Sequence, residues 1–502
     1  MSSLNRLLII SLDIIRGHDP EMPYSVASLL TYARANCLHR PELKFHQVNL
    51  LKEEPFDAVK IIDQMEDEED LMACDGVALG VAVWNEKQNL TLMSEIKRRG
   101  FKGCVAVGGY QVSATKNEHL AEFFPDATHF IKNYGEASLQ RLLEEGMDAP
   151  SVLDEFPCFE KLPSLYLNGE LALREGKDYP LLRWETKRGC PHRCAFCEWG
   201  IRKKKRFFEF PEERILAELD YFRGFKIGKI NLLDGTFNSG SNYLSYARLM
   251  AGLPFLFSLQ SHFGFKNDRE CDEYLEICQQ GNLNLEFGLQ TAIRSEMATI
   301  GRKNDLDKVG RILRKMTKMG IRYEVSLIYG IPGQTATSYM RSVSFLLRNG
   351  CTKIQSFPLR LPRHSDLASQ AESQCVEEVA LEFNHSIEHV VGSYSFDRKE
   401  WDRMNRIADD LGKEHEGGSF ILVKHEHSPI QWSVVGKSPT LSLQIEGLGI
   451  GVQVMVPGQI YSADSDNKTW KAVSMQEGFS GQVSLRRTGN DCIVWLHNGH
   501  SL

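Results

Sequence analysis

At 502 residues the chain is too long for one ordinary domain and fits about three. Hydrophobic residues make up 42% and charged residues 25%, the balance of a globular protein with sizeable cores. A formal net charge of -7 supplies no basic footprint for nucleic acid or a membrane surface, so neither is expected as a partner.

In chain order, residues 1 to 145 alternate apolar runs with helical patterns. The strands are expected at 7–13 (LLIISLD), 44–50, 76–84 (GVALGVAVW), 104–109 and 128–133, with helices such as PYSVASLLTYARAN between them. Near-continuous apolar strands separated by helices predict a doubly wound, Rossmann-like parallel sheet. Ligands of such sheets sit beyond the carboxyl ends of the strands. That rule marks Asp13, Trp84, Asn85, Gly108, Gly109, Gly135 and Glu136. No apolar run approaches the roughly 18 residues of a membrane span. The N-terminus lacks a signal-peptide cleavage pattern. Most of the twelve cysteines stand singly in apolar stretches, which fits reduced, cytoplasmic usage.

A linker rich in turn residues is expected at 146–180, and strand–helix alternation resumes from 181 to 363 (LLRWETKRG, KINLLDG, FLFSLQS, NLEFGLQ, YEVSLIYG, KIQSFPLR). Six βα repeats predict a partial (βα)6 TIM barrel, with its chemistry on the loops after the strands. Residues 364–415 read as a helical extension, and 416–502 as a small β-rich module of antiparallel strands. The fold class expected is therefore α/β, with a doubly wound domain, a partial barrel and a β module.

The stretch RGCPHRCAFCEWG sets Cys190, Cys194 and Cys197 at x3 and x2 spacing directly after a strand. Three thiolates can hold three irons of a cubane and leave the fourth open to a chelating ligand. A structural zinc site would need a fourth ligand, for which His192 is the local candidate. Gly189, Pro191, His192 and Arg193 describe an exposed loop rather than packing cysteines in a core.

This loop, with Phe196 before the last cysteine, resembles the signature of the radical S-adenosylmethionine (SAM) superfamily, and the resemblance runs through about residues 181–363. It implies a [4Fe-4S] cluster on Cys190, Cys194 and Cys197 that cleaves SAM reductively to a 5′-deoxyadenosyl radical. It further implies SAM contacts at Phe196 and at Asp234, Gly235 and Thr236, where DGT replaces the commoner GGE. Glu286, Gly288 and Gln290 would face the ribose, and SLIYGIPGQT matches a GxIxGxPGET pattern at Gly330, Pro332, Gly333 and Thr335 on the adenine side. No further catalytic side chain is implied, since the cofactor carries the hard chemistry.

The first domain resembles the cobalamin-binding domain that precedes the barrel in one class of this superfamily. The resemblance rests on DGVALGVAVWN, VAVGGYQVSA and THFIKNYGEAS. It implies that Asp13, Trp84, Asn85, Gly108, Gly109, Gly135 and Glu136 border the corrin, with Gly108 and Gly109 letting the backbone approach its nucleotide tail. No DxHxxG motif is present, His18 being misplaced, so a lower histidine ligand is not expected.

The resemblance implies a cobalamin-dependent methylase acting on an unactivated carbon of a small molecule or peptide, with a flavodoxin- or ferredoxin-type electron donor. Non-methylating radical chemistry is the alternative, and a non-catalytic iron–sulfur or zinc protein the second. The run Arg202–Arg206 and the pair His425 and His427 read as solvated polar features. The oligomeric state is not legible.

Overall fold

The computed structural model describes residues 3–53, 55–198, 207–363, 365–380 and 387–413, followed by seven C-terminal strands between 418 and 498. Arg202–Arg206, His425 and His427 lie outside the described residues. Two compact units are present: one comprises Met1–Gln260, Arg269–Leu283 and Arg360–Val390, the other Ser261–Asp268, Asn284–Leu359 and Val391–Leu502.

The first unit opens with strands β1 (Arg6–Asp13), β2 (Glu42–Asn49), β3 (Gly76–Gly80), β4 (Cys104–Gly108), β5 (His129–Ile131) and β6 (Val152–Leu153). They pair in parallel in the order β2-β1-β3-β4-β5-β6. Between them run helices α1 (Tyr24–Asn36), α2 (Ala58–Glu69), α3 (Glu86–Arg98), α4 (Tyr110–Ala114), α5 (Leu120–Phe123) and α6 (Gly135–Glu145). Six of the eight β1 residues are buried, because both faces of the sheet are covered and period-two alternation sends neighbours to different cores. Leu8, Ile10 and Leu12 pack with Ile61, Ile62, Leu92, Met93 and Ile96. Leu7 and Ile9 pack with Val26, Leu30, Leu139 and Leu142. Each fully buried leucine or isoleucine here contributes roughly 1.5–3 kcal/mol relative to exposure. Strand order reverses direction between β1 and β3, which makes the crevice beyond their carboxyl ends the ligand position of this topology.

β3 is shorter than the run 76–84 suggested. The Asn85 amide ends it by accepting from Ala82 N at 2.8 Å and donating to Leu12 O at 2.9 Å and Gly80 O at 3.0 Å, which turns the chain out of the sheet.

Later in this unit, β7 (Asp178–Trp184), β10 (Lys226–Leu232) and β11 (Leu256–Ser261) run parallel, with the short antiparallel pair β8 (Lys187–Arg188) and β9 (Phe208–Glu209) beside the loop that follows β7. In the second unit β12 (Leu283–Gln290), β13 (Arg322–Tyr329) and β14 (Ile354–Pro358) are parallel as well. Among the described residues, helices α7 (Glu212–Phe222), α8 (Tyr243–Ala251), α9 (Asp268–Gln280), α10 (Arg294–Thr299), α11 (Leu306–Met319) and α12 (Ala336–Arg348) lie between these strands, α10 and α11 both between β12 and β13, so five of the six strands expected are each followed by a helix before the next of them and β14 is the sixth strand. α11 is delimited by local chemistry: Asp305 accepts from Asp307 N and Lys308 N at 3.1 Å at its start, and Gly320 ends it.

The stretch 364–415 differs from the helical expectation. Helix α13 occupies only Arg398–Lys413, behind Asp397, whose carboxylate accepts from Glu400 N at 2.9 Å. Before it come β15 (Glu377–Ala380) and β16 (Glu388–Gly392), a paired two-stranded sheet. The buried run HVVG, with Val390 and Val391 inaccessible, suits a strand better than a helix. The C-terminal module is a seven-stranded antiparallel sheet, β17 to β23, spanning Gly418–Asn498.

Candidate active site

The cysteine loop leaves β8 at Arg188. Cys190, Cys194 and Cys197 are not joined in disulfides and are each partly exposed, and the loop carries its own turn, with Cys197 N donating to Cys194 O at 3.1 Å. Cys190 Sγ lies 3.6 Å from Thr236 Oγ1. A Cβ at Gly235 would stand 3.1 Å from Gly189 O and 3.2 Å from Cys190 Cβ, so the absence of a side chain lets the loop after β10 lie against the first cysteine. Leu367, fully buried, donates its N–H to Ala195 O at 3.1 Å and holds the second half of the loop. Among the described residues no three Cys, His, Asp or Glu side chains are drawn together as a metal-binding group. The donor set nonetheless suits a cubane: three soft thiols on one eight-residue loop, with a polar hydroxyl beside the first of them.

Charged side chains lie buried beneath this loop. The Asp234 side chain is engaged inside the protein. Its carboxylate accepts from Thr186 N at 2.8 Å, Thr186 Oγ1 at 2.5 Å and Lys187 N at 3.3 Å, with Lys187 Nζ 3.9 Å away. Burial raises its pKa, an effect that the lysine and the three donors offset only in part. Asp234 therefore ties the strand leading into the cysteines to the DGT turn, and only Gly235 and Thr236 of that turn touch the cysteine. Burial also lowers the Lys187 pKa, while its ammonium donates to Phe237 O at 2.5 Å.

The Glu136 side chain is likewise buried and paired. Its Oε1 accepts from Arg188 Nη1 at 2.5 Å and from Ser28 Oγ at 2.6 Å. Burial disfavours its charge, but the guanidinium and the hydroxyl outweigh that and hold the carboxyl below its ordinary range. Asn85 is committed to its own turn. The remaining residues of that set occupy the open edge: Asp13, Trp84, Gly108 and Gly135 are partly exposed and Gly109 is exposed. Asp13 accepts from Gln47 Nε2 at 2.8 Å. Gly109 has φ +102, and a Cβ there would lie 2.6 Å from Val81 O, so the chain's own backbone demands glycine. A ligand tail is not needed to explain it.

In the second unit, β12 alternates strictly, burying Leu283, Leu285, Phe287 and Leu289 and leaving Glu286, Gly288 and Gln290 partly exposed on the other face. A bulge precedes Gln290, whose φ of +65 is rare for a side-chain-bearing residue. Its amide oxygen accepts from Arg302 Nε at 3.0 Å and Nη2 at 2.6 Å, and Arg302 also binds Gly288 O. Of the next motif, Gly330 N donates to Gln334 Oε1 at 2.8 Å, and Thr335 is engaged as the N-cap of α12. Pro332 lies within that turn, and Phe196 lies on the cysteine loop.

Gln334 stands where the pattern has glutamate, and the reason is local. It is fully buried and its Nε2 donates to Glu296 Oε2 at 3.2 Å. Glu296 is itself buried, which raises its pKa against the hydrogen bonds from Ser338, Thr291 and Gln334. In a Gln334→Glu variant two carboxyls would share this site, and one would be forced to hold a proton. A carboxyl whose folded pKa is raised stabilises the fold below its unfolded pKa and loses that contribution as pH rises through the folded value. The variant is expected to be destabilised by about 2–3 kcal/mol at pH 8 and much less at pH 5. Denaturant titrations at the two pH values test this, and an equal deficit at both would refute it.

Sequence reasoning missed Lys187, Arg188, Glu185, Glu296 and Arg363. The available signal was the pair of cations directly before the first cysteine glycine, too charged for the end of a strand unless carboxylates are buried nearby.

The Radical SAM superfamily model matches residues 184–346. The chain is 24% identical over 312 residues to the 2-(S-pantetheinyl)-carbapenam-3-carboxylate methyltransferase of Streptantibioticus cattleyicolor, covering 55% of this chain and 45% of the relative. It is 24% identical over 335 residues to the cobalamin-dependent radical SAM methyltransferase TokK of Streptomyces tokunonensis, covering 59% and 48%. The matches thus span less than half the length of these curated relatives. The fold is that of the radical SAM methyltransferase TsrM from Kitasatospora setae, with a TM-score of 0.60 at 14% identity over 81% of this chain and 89% of that one. The cobalamin-dependent radical enzyme OxsB follows at TM-score 0.51 and 15% identity, over 84% and 62%. Residues 184–346, which carry the cysteine loop and much of the partial barrel, thus match the radical SAM superfamily, within a fold similar to that of TsrM.

Proposed function

We propose that the protein is a cobalamin-dependent radical SAM methylase that places a methyl group on an unactivated carbon of a small molecule or peptide. One juxtaposition carries the reading: the cysteine loop, backed by Gly235 and Thr236, shares a compact unit with a doubly wound sheet. The open edge of that sheet presents Asp13, Trp84, Gly108 and Gly109 at its switch point. The similarity to TokK and TsrM, both radical SAM methyltransferases, supports it. When bound, the cluster supplies the electron that cleaves SAM, and cobalamin supplies a methyl carrier.

The chain's part is to hold and orient. Cys190, Cys194 and Cys197 would ligate three irons, and Thr236 would place a hydroxyl beside the first sulfur. Asp234 fixes that turn from below, and Gln334 shapes the Gly330 turn. A cytoplasmic setting with a flavodoxin- or ferredoxin-type reductant completes the proposal, supported by described cysteines that form no disulfide.

The test is anaerobic purification with cobalamin supplied, followed by mass spectrometry of what SAM becomes. Near-stoichiometric cobalamin retained through gel filtration, with 5′-deoxyadenosine and S-adenosylhomocysteine both formed, is the expected result. 5′-Deoxyadenosine from a cobalamin-free protein would favour non-methylating radical chemistry instead. If neither product forms, the enzymatic reading falls.

A further inference from the structure

We propose that Glu136 and Arg188 are positioning residues for the cysteine loop, making SAM cleavage depend on the N-terminal domain and not on the barrel alone. The inference rests on the reading of Cys190, Cys194 and Cys197 as cluster ligands.

Arg188 stands two residues before Cys190, and its side chain is 6% exposed. Its three donors are shared between two sources. Nε reaches Glu185 Oε2 at 2.8 Å, a neighbour on the same stretch of chain. Nη1 reaches Glu136 Oε1 at 2.5 Å and Nη2 reaches Ser28 Oγ at 3.0 Å, residues of α6 and α1 in the N-terminal domain. Ser28 Oγ in turn donates to Glu136 Oε1, so the acceptor is itself held.

A buried guanidinium that loses a carboxylate partner is strongly penalised, which leaves Arg188 one place to go. β8 therefore enters the loop at a position set by α1 and α6. Glu185, being local, cannot supply that external reference.

The other half of the loop is referenced to the same domain by a separate route. Arg363 donates to Glu86 Oε1 at 2.5 Å and Thr115 Oγ1 at 3.1 Å, and lies 4.0 Å from the centre of the Phe123 ring. Four residues on, Leu367 N bonds Ala195 O between the second and third cysteines. Both halves of the loop thus take their position from helices at the open edge of the first sheet.

Glu136→Gln in the full-length protein tests this, because it keeps the shape and the Ser28 contact but removes the charge that Arg188 seeks. Two readouts are used. In cluster-free protein, the iodoacetamide alkylation rate of Cys190 is compared with that of the exposed Cys158 by peptide mass spectrometry. In reconstituted protein, iron content, the electron paramagnetic change on adding SAM, and the separate KM and kcat for 5′-deoxyadenosine formation are measured.

We expect Cys190 alkylation to rise at least threefold against Cys158, and KM for SAM to rise about tenfold with iron content kept. Glu185→Gln should raise alkylation by less than half as much. Equal effects of the two variants would mean local charge compensation and would overturn the proposal, as would unchanged alkylation in Glu136→Gln. Should Glu136→Gln fail to fold, Ser28→Ala, which leaves both charges, is expected to raise alkylation about twofold, and no rise would count against the proposal. If the wild-type protein binds no iron, the cluster reading fails, yet the alkylation comparison still decides the positioning role.

Discussion

Replacing Cys194 with alanine is expected to abolish the iron–sulfur absorbance and all 5′-deoxyadenosine formation, while the melting temperature stays within a few degrees of wild type. The cysteine is partly exposed on a loop rather than packed in either core, so truncating it removes little buried apolar surface. Its role as a ligand has no understudy, because the described residues offer no further group of metal-binding side chains to take its place. The same holds for Cys190→Ala and Cys197→Ala. Absorbance, iron assay and product chromatography on the anaerobically reconstituted variants read the result. SAM cleavage persisting in Cys194→Ala at wild-type rate would dismiss the loop as the catalytic centre.

Gly109→Ala should be the most damaging single-methyl change in the N-terminal domain. The position combines φ +102 and ψ −171, a region that only glycine occupies readily, with a Cβ site 2.6 Å from Val81 O and 3.1 Å from Val81 N. Neither neighbour can yield, since both are backbone and Val81 N is itself bonded to Gly108 O at 2.7 Å. The expected loss is about 3 kcal/mol or more from the strain and the overlap together. Gly108→Ala is the control: its Cβ would lie 3.4 Å from Ile131 O, an ordinary contact, and should cost less than about 1 kcal/mol. Thermal melts followed by circular dichroism distinguish the two. Comparable stability of both variants would contradict the geometry. Cobalamin retention should fail in Gly109→Leu along with the fold of this edge, whatever the ligand.

The contrast between these glycines shows what the sequence could and could not disclose. Strand positions in the first domain were legible because burial on both faces writes an unbroken apolar run, as in LLIISLD. The cysteine spacing was legible because no packing requirement produces three thiols in a polar, glycine- and proline-flanked loop. Gly109 was identified as special, but for a neighbouring ligand rather than for the backbone of Val81, which lies 28 positions earlier and meets it only in the fold. The internal partners of Asp234 and Glu136 were hidden in the same way. A carboxylate at a strand end or helix start looks like a ligand contact until the buried cation that claims it is found, and the cation pair Lys187 and Arg188 does not say in the sequence which distant carboxylates it meets. The amphipathic stretch on which the helical expectation for 364–415 rested does form α13, but its period does not extend to the short buried run of β16.

The bond from Leu367 to Ala195 has a consequence for how the protein is made. The cysteine loop is synthesised early, but the segment that secures its second half follows 172 residues later and belongs to the same compact unit. At ordinary translation rates of about 5–20 residues per second, the three thiols would wait roughly 10–35 s between leaving the ribosome's active centre and acquiring their last tether. Iron–sulfur delivery before Leu367 emerges would meet a loop without its final shape, so cluster insertion belongs after that point, and a chain stopped short of Leu367 should bind iron poorly even though Cys190, Cys194 and Cys197 are present.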